Sequence, residues 1–329
     1  MMFKNKIPCT IKLNLIALAF VFYGSAQAET FKFVALGDMP YSQPTDFVRF
    51  ERLIKVINSK KNAFSIFVGD TKSGDTPCSN EHVHKMTDYF NSFTSPLIYS
   101  IGDNEWTDCH RILAGAYDPL ERLEHIRSSQ FNSSNSFGRS KLKLQRQADV
   151  MPNFNTYVEN SLWIKDNFLF VNLHIPGSNN NLGRDEESNK EYTLRNQANL
   201  AWINHAFDLA KEKSYLGIIF VFQADIFYSP ETANGSNSGY RETVATFRDR
   251  SENLPIPILL IHGDSHQLKI DNPLIGSKKK VLENVYRLEV MGADRVQAVE
   301  VQVDSKESSP FSFRPILIPL NILDIENKK

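Results

Sequence analysis

Five Gly-Asp dipeptides punctuate this chain, at Gly37-Asp38, Gly69-Asp70, Gly74-Asp75, Gly102-Asp103 and Gly263-Asp264. With 15 glycines and 19 aspartates among 329 residues, chance supplies about one. Four of the five follow short apolar runs that read as buried strands, at 31–36, 64–68, 96–101 and 257–261 (the last through His262). In open α/β sheets, ligands bind beyond the carboxyl ends of the strands, where loops converge. Glycine permits a sharp exit turn there, and the aspartate after it projects into the shared crevice. Four carboxylates in one crevice would raise each other's pKa values unless a cation neutralised them. The pattern therefore predicts a divalent metal site. Gly74-Asp75 follows no such run and reads as an ordinary turn.

Hydrophobic residues make up 41% of the chain and charged residues 23%, which excludes bulk disorder. A formal net charge of −1 excludes the broad basic surface of a general nucleic-acid binder. At the N-terminus, Lys4, Lys6 and Lys12 lead into an apolar stretch over 13–23, followed by Ala26-Gln27-Ala28. This is the pattern of a signal peptide spanning 1–28, leaving 29–329 as an exported domain, periplasmic or secreted. No later segment is apolar enough to span a bilayer, so no membrane span is expected after cleavage. Cleavage also removes Cys9. Cys78 and Cys109 then remain in an oxidising compartment, which predicts a disulfide and neighbouring loops.

Along the mature chain, strand and helix signals alternate. Phe47, Phe50, Leu53, Ile54 and Ile57 fall on one helical face, and 191–213 carries a second long helical pattern. Residues 216–222 form a nearly continuous apolar run, expected of a central strand. Residues 285–290 and 296–303 alternate apolar and polar, which suits antiparallel strands with one wet face. No composition shift marks a linker, so one α/β domain is predicted.

Asp38, Gly69-Asp70, Gly102-Asp103-Asn104-Glu105 and Gly263-Asp264-Ser265-His266 resemble the ordered blocks of the calcineurin-like metallophosphoesterases. That family's pattern is Asp-x-His, Gly-Asp, Gly-Asn-His-Glu, a lone His, then Gly-His-x-His. Gln197-Ala198-Asn199-Leu200-Ala201-Trp202 is similar to the family's Gln…Trp-Leu helix. The resemblance implies a four-layer α/β/β/α sandwich of two mixed sheets flanked by helices. It also implies two metal ions and a metal-activated hydroxide attacking a phosphomonoester or phosphodiester. On that resemblance Asp70 bridges the metals and Asp38 and His266 bind the first. Asp103, Asp264 and Gln223 stand where the second metal finds an asparagine and two histidines.

Several positions depart from the family pattern. Pro40 replaces the His of Asp-x-His, and Asn104 replaces the His that would protonate the leaving group. A site rich in oxygen and poor in imidazole suits manganese, magnesium or calcium over zinc or iron, as one ion or two. An amide is inert as an acid, so Asn104 is assigned hydrogen bonding to a phosphoryl oxygen. His262, two residues before Asp264, is a further candidate ligand. His82 and His84 read as solvated on a helix. The expected partner is a small phosphorylated substrate, with Arg139, Lys141, Lys143 and Arg146 only a weak basic cluster. A non-catalytic binding protein on the same scaffold is the alternative reading.

Overall fold

The alternating residues of the first strand, Phe31, Phe33 and Ala35 on one side and Val34 and Leu36 on the other, are all buried. A strand covered on both faces belongs in the middle of a layered structure. The computed structural model describes residues 1–3 and 30–326. The segment read as a signal peptide lies outside the described residues, apart from its first three.

The described strands are β1 (Thr30–Leu36), β2 (Ser65–Phe67), β3 (Leu97–Tyr99), β4 (Gln145–Arg146), β5 (Ser161–Lys165) and β6 (Phe168–Asn172). They continue with β7 (Gly217–Val221), β8 (Ile258–His262), β9 (Lys269–Asp271), β10 (Val285–Glu289), β11 (Ala298–Asp304) and β12 (Phe311–Ile316). They form two mixed sheets, ordered β12-β11-β1-β2-β3 and β4-β5-β6-β7-β8-β10-β9. In the first, β1, β2 and β3 are parallel, with β11 and β12 antiparallel beside them. In the second, β6, β7, β8 and β10 are parallel.

The two sheets face each other across one core. Phe33, Ala35, Ile66 and Val68 of the first sheet meet Phe170, Ile219, Val221, Leu259 and Ile261 of the second. Phe64 anchors this layer, with its ring 5.3 Å from Phe33, 5.0 Å from Phe170 and 5.6 Å from Trp163. Each such pair adds about 0.5–1.5 kcal/mol beyond simple burial. Outside the first sheet, Val34, Leu36 and Phe67 pack on helices Thr45–Asn58, Asn80–Ser92 and Pro119–Gln130. Outside the second, Ile218, Phe220 and Leu260 pack on Glu186–Lys213 and Arg241–Asn253. The four-layer sandwich is thus formed.

Helix Glu186–Lys213 starts at a capping box. Asp185 accepts from the Ser188 backbone at 2.7 Å, and Ser188 Oγ accepts from the Asp185 backbone at 2.9 Å. Its buried Trp202, Ile203, Ala206, Phe207 and Ala210 recur at helical spacing.

Two sequence expectations change. β11 is antiparallel to β1 and β12, as expected, whereas β10, in the other sheet, is antiparallel to β9 on one side but parallel to β8 on the other. Alternation reports which faces are covered, not strand direction. His82 is buried rather than solvated, and lies 3.2 Å from Thr71 Oγ1 on the inner face of its helix.

Candidate metal centre

Asp38, Asp70, Asp103, Gln223 and Asp264 all sit just beyond the carboxyl ends of parallel strands: β1, β2, β3, β7 and β8 respectively. The edges of both sheets therefore deliver them to one crevice. Asp38 (φ 52°), Asp70 (φ 54°), Asp264 (φ 79°) and His266 (φ 62°) are all left-handed. Such backbone costs about 1–3 kcal/mol per residue and collects at functional sites. The glycines serve a purpose beyond turning. A Cβ on Gly102 would lie 2.1 Å from Asp70 Oδ1, and one on Gly263 would lie 2.1 Å from Asp38 Oδ2. The dipeptides are interleaved: each of these glycines vacates the space that another strand's aspartate fills.

Asp38, Asp70 and His266 each present a ligand atom, all within 4.8 Å of one another. Both oxygens of Asp38 accept from the Asp264 backbone, at 3.1 and 3.2 Å. Asp70 Oδ2 accepts from Tyr41 Oη at 2.8 Å and from Asn104 Nδ2 at 2.7 Å, while Oδ1 accepts from the Asn104 backbone at 3.2 Å. Asn104 Nδ2 also donates to Tyr41 Oη at 3.1 Å, and Tyr41 Oη and Asp70 Oδ2, themselves 2.8 Å apart, lie on the same side of the amide. Glu105 underpins the loops, accepting from the backbones of Asp70 (3.2 Å), Gly102 (2.9 Å) and Thr71.

Asp103 Oδ2 accepts from Ser178 Oγ at 2.8 Å, and its buried Oδ1 has no hydrogen-bond partner. The same Ser178 hydroxyl lies 2.7 Å from Asp108 Oδ1, so the two carboxyls share its hydrogen. Gln223 holds the crevice from the second sheet, its Oε1 accepting from the Gly177 backbone.

Electrostatics agree with the geometry. Burial first, then the charges of neighbouring carboxylates, hold Asp38 and Asp70 well above the ordinary aspartate range. Burial likewise pushes Asp103 and Asp264 up to about 6, assisted at Asp103 by the charge of Asp264. Burial lowers His266, favouring the neutral ring that a ligand requires. Buried Lys72 is also held below the usual lysine range by burial, against the opposing charges of Glu105 and Asp70.

His262 does not join this group. Its ring stacks at 5.7 Å on Phe222, toward the helical layer, and its neighbours are Asp225 and Glu289. Asp75 is exposed, as a turn residue should be, although Gly74 comes close to the site: a Cβ there would lie 2.9 Å from Asn104 Oδ1. The Cys78–Cys109 disulfide is formed, with Cα atoms 5.8 Å apart, and it ties the loop after Asp70 to the loop after Asp103. Tyr41, Asp108 and Asp225 do not stand out as site residues in the sequence. Only Tyr41 left a signal there, standing next to the proline that replaces a histidine.

No family profile matches the chain, and no curated protein is similar to it at the sequence level. Solved structures are similar. A dimetal phosphatase from Danio rerio superposes with a TM-score of 0.54 at 11% identity, covering 87% of this chain and 98% of that one. The protein TT1561 of Thermus thermophilus gives 0.47 at 10% identity, over 87% and 99% of the two chains. A purple acid phosphatase from yellow lupin (Lupinus luteus) seeds gives 0.46 at 12%, over 90% of this chain and 55% of that one. The chain has a metallophosphoesterase fold, at very low sequence identity. Its crevice fits the metal that such a fold implies: three converging ligands, mutually repelling carboxylates and an orphaned buried oxygen on Asp103.

Proposed function

We propose that this protein is an exported metal-dependent phosphoesterase acting on a small phosphorylated molecule, as a monoester or a diester. The observation that carries the reading is the convergence of Asp38, Asp70 and His266 with no cationic side chain hydrogen-bonded to any of their ligand atoms among the described residues. Asp38, Asp70 and His266 would hold one divalent ion, and Asp103, Gln223 and Asp264 line the space for a second. Bound there, such an ion supplies an acidified water and neutralises phosphoryl charge. The donors are mostly oxygen, which favours manganese, magnesium or calcium.

The side chains around the ion have separate tasks. Tyr41 and Asn104 orient the Asp70 carboxylate through its Oδ2. Both acceptors lie on one side of the Asn104 amide, so its second hydrogen is left to donate to a phosphoryl oxygen. Neither Asn104 nor Pro40 can donate a proton to a leaving group, so good leaving groups are favoured. Beside Asp264 opens a cavity of about 440 Å³, lined by Ser178, Asp225, Tyr228, Glu231, Thr232 and Ser265 among others. Its lining contains hydroxyls and carboxylates but no lysine or arginine, which suits a neutral, hydroxylated alcohol portion. Export is supported by the N-terminal pattern and is compatible with the disulfide.

The test is hydrolysis of an aryl phosphate and an aryl phosphodiester with added manganese, with and without chelator, by wild type and Asp70→Ala. Chelator-sensitive turnover lost in Asp70→Ala supports the reading. Absence of turnover and of bound metal in every condition would establish the binding-protein alternative.

A further inference from the structure

We infer that Asp225, His262 and Glu289 form a second, fully buried metal site, separate from the Asp38 centre and suited to a single zinc-like dication. Glu289 ends β10 and His262 ends β8. The parallel register sets these two residues directly opposite each other, so their side chains leave the sheet on one face. Asp225 reaches them from the loop after β7, and the three ligand atoms lie within 4.8 Å of one another.

The hydrogen-bond partners fix the tautomer of the imidazole. His262 Nδ1 lies 2.9 Å from the Gly263 carbonyl, which can only accept, so Nδ1 carries the hydrogen. Nε2 is therefore a bare lone pair. It is buried, has no hydrogen-bond partner and faces Asp225 Oδ1 at 3.9 Å. Glu289 Oε2 is likewise buried without a hydrogen bond. Acceptors thus point at acceptors, an arrangement that a cation between them resolves.

The remaining contacts hold this set from outside. Asp225 Oδ1 accepts from the Phe227 backbone at 3.0 Å, and Oδ2 accepts from Ser265 Oγ at 2.7 Å. Glu289 Oε1 accepts from the Gln267 backbone at 3.2 Å. Two cations adjoin the carboxylates. Arg287 spends its hydrogen bonds on Asp271 and leaves Nη1 3.5 Å from Asp225, while Lys269 Nζ is 3.6 Å from Glu289. They offset part of the charge on Asp225 Oδ1 and Glu289 Oε2 but make no hydrogen bond to either oxygen, and neither is paired with His262 Nε2. Phe222 and Phe227 flank the imidazole.

One imidazole with two carboxylates is a donor set that zinc accepts, whereas the oxygen-rich crevice in front favours harder ions. The two sites touch through one bond, from the Asp225 backbone to Asp264 Oδ2 at 3.0 Å. An ion behind would therefore fix the position of a carboxylate in front.

The test uses the full mature chain in an Asp38→Asn/Asp70→Asn background, which disables the front centre, loaded with Zn²⁺ or Co²⁺ and dialysed. About one ion per chain should remain by elemental analysis, and bound Co²⁺ should show the intense visible bands of a low-coordinate site. Adding His262→Gln or Glu289→Gln should abolish both signals while circular dichroism reports an intact fold. A folded double variant that keeps no ion would overturn the inference, since a proton or water then fills the gap. Retention undiminished by His262→Gln and Glu289→Gln would overturn it as well. Neither result bears on phosphoesterase activity at the front centre.

Discussion

Tyr41 Oη donates to Asp70 Oδ2 at 2.8 Å, which gives the chain a hydroxyl next to the proline where the family pattern has a histidine. The same oxygen lies 3.2 Å from His266 Nε2 and accepts from Asn104, so it links the central carboxylate to both flanking loops. Groups that orient a metal ligand typically contribute about 10–100-fold in affinity or activity. Tyr41→Phe should therefore weaken Mn²⁺ binding or turnover by about that factor, with the fold intact. Isothermal titration alongside kinetics checks this, and an unchanged affinity and rate would remove Tyr41 from the site.

Asn104 supplies no acid, so the rate should depend steeply on the leaving group, with aryl esters far ahead of alkyl esters. Asn104→His restores an ionisable ring. It should narrow the aryl-to-alkyl ratio by about tenfold or more, even if the aryl rate itself falls. Equal wild-type rates on the two ester classes would contradict this account.

The raised carboxylates fix the sign of a pH effect. Asp103 and Asp264 titrate near 6 in the fold, against an ordinary value of 3.8. Between these values the folded chain binds more protons than the unfolded chain. The stability these groups contribute is therefore present at low pH and lost as pH rises through about 6. A divalent cation reverses that loss by neutralising the ionised pair, but at low pH it must first displace protons. The thermal shift caused by Mn²⁺ should thus be larger near pH ~8 than near pH ~5.

Gly102→Ala tests the interleaving of the turns. The new methyl would overlap Asp70 Oδ1 and its backbone nitrogen, at 2.1 and 2.6 Å. Displacing that carboxylate should cost metal binding outright and destabilise the chain by about 1–3 kcal/mol. Metal content by elemental analysis and the denaturation midpoint report the two effects separately.

The Cys78–Cys109 bridge spans 31 residues, and a loop of that length is worth about 3–4 kcal/mol through its effect on the unfolded chain. A Cys78→Ser/Cys109→Ser variant should lose about that much in chemical denaturation. Because the bridge joins the loops that follow Asp70 and Asp103, its metal affinity should fall too.

Features that depend on neighbouring residues were legible in the linear chain. An apolar run followed by Gly-Asp marks a strand end wherever it occurs, so Asp38, Asp70, Asp103 and Asp264 could be read, as could the cystine. Helical spacing at Phe47–Ile57 and the long apolar run before Gln223 marked the layers in the same way. Contacts between distant segments came only with the folded molecule. Tyr41 meets His266 across 225 residues of chain, and nothing near either residue announces the other. His262 shares a two-residue spacing with Asp264, but the strand ends at His262 and Asp264 is left-handed (φ 79°), so alternation does not carry across, and His262 faces Phe222, Asp225 and Glu289. The direction of β10 was equally invisible, because an apolar face looks the same whichever way the strand runs. Even the meaning of the glycines changed in three dimensions. The dipeptide reads as a turn, but Gly102 and Gly263 are small because another strand's aspartate lies against them.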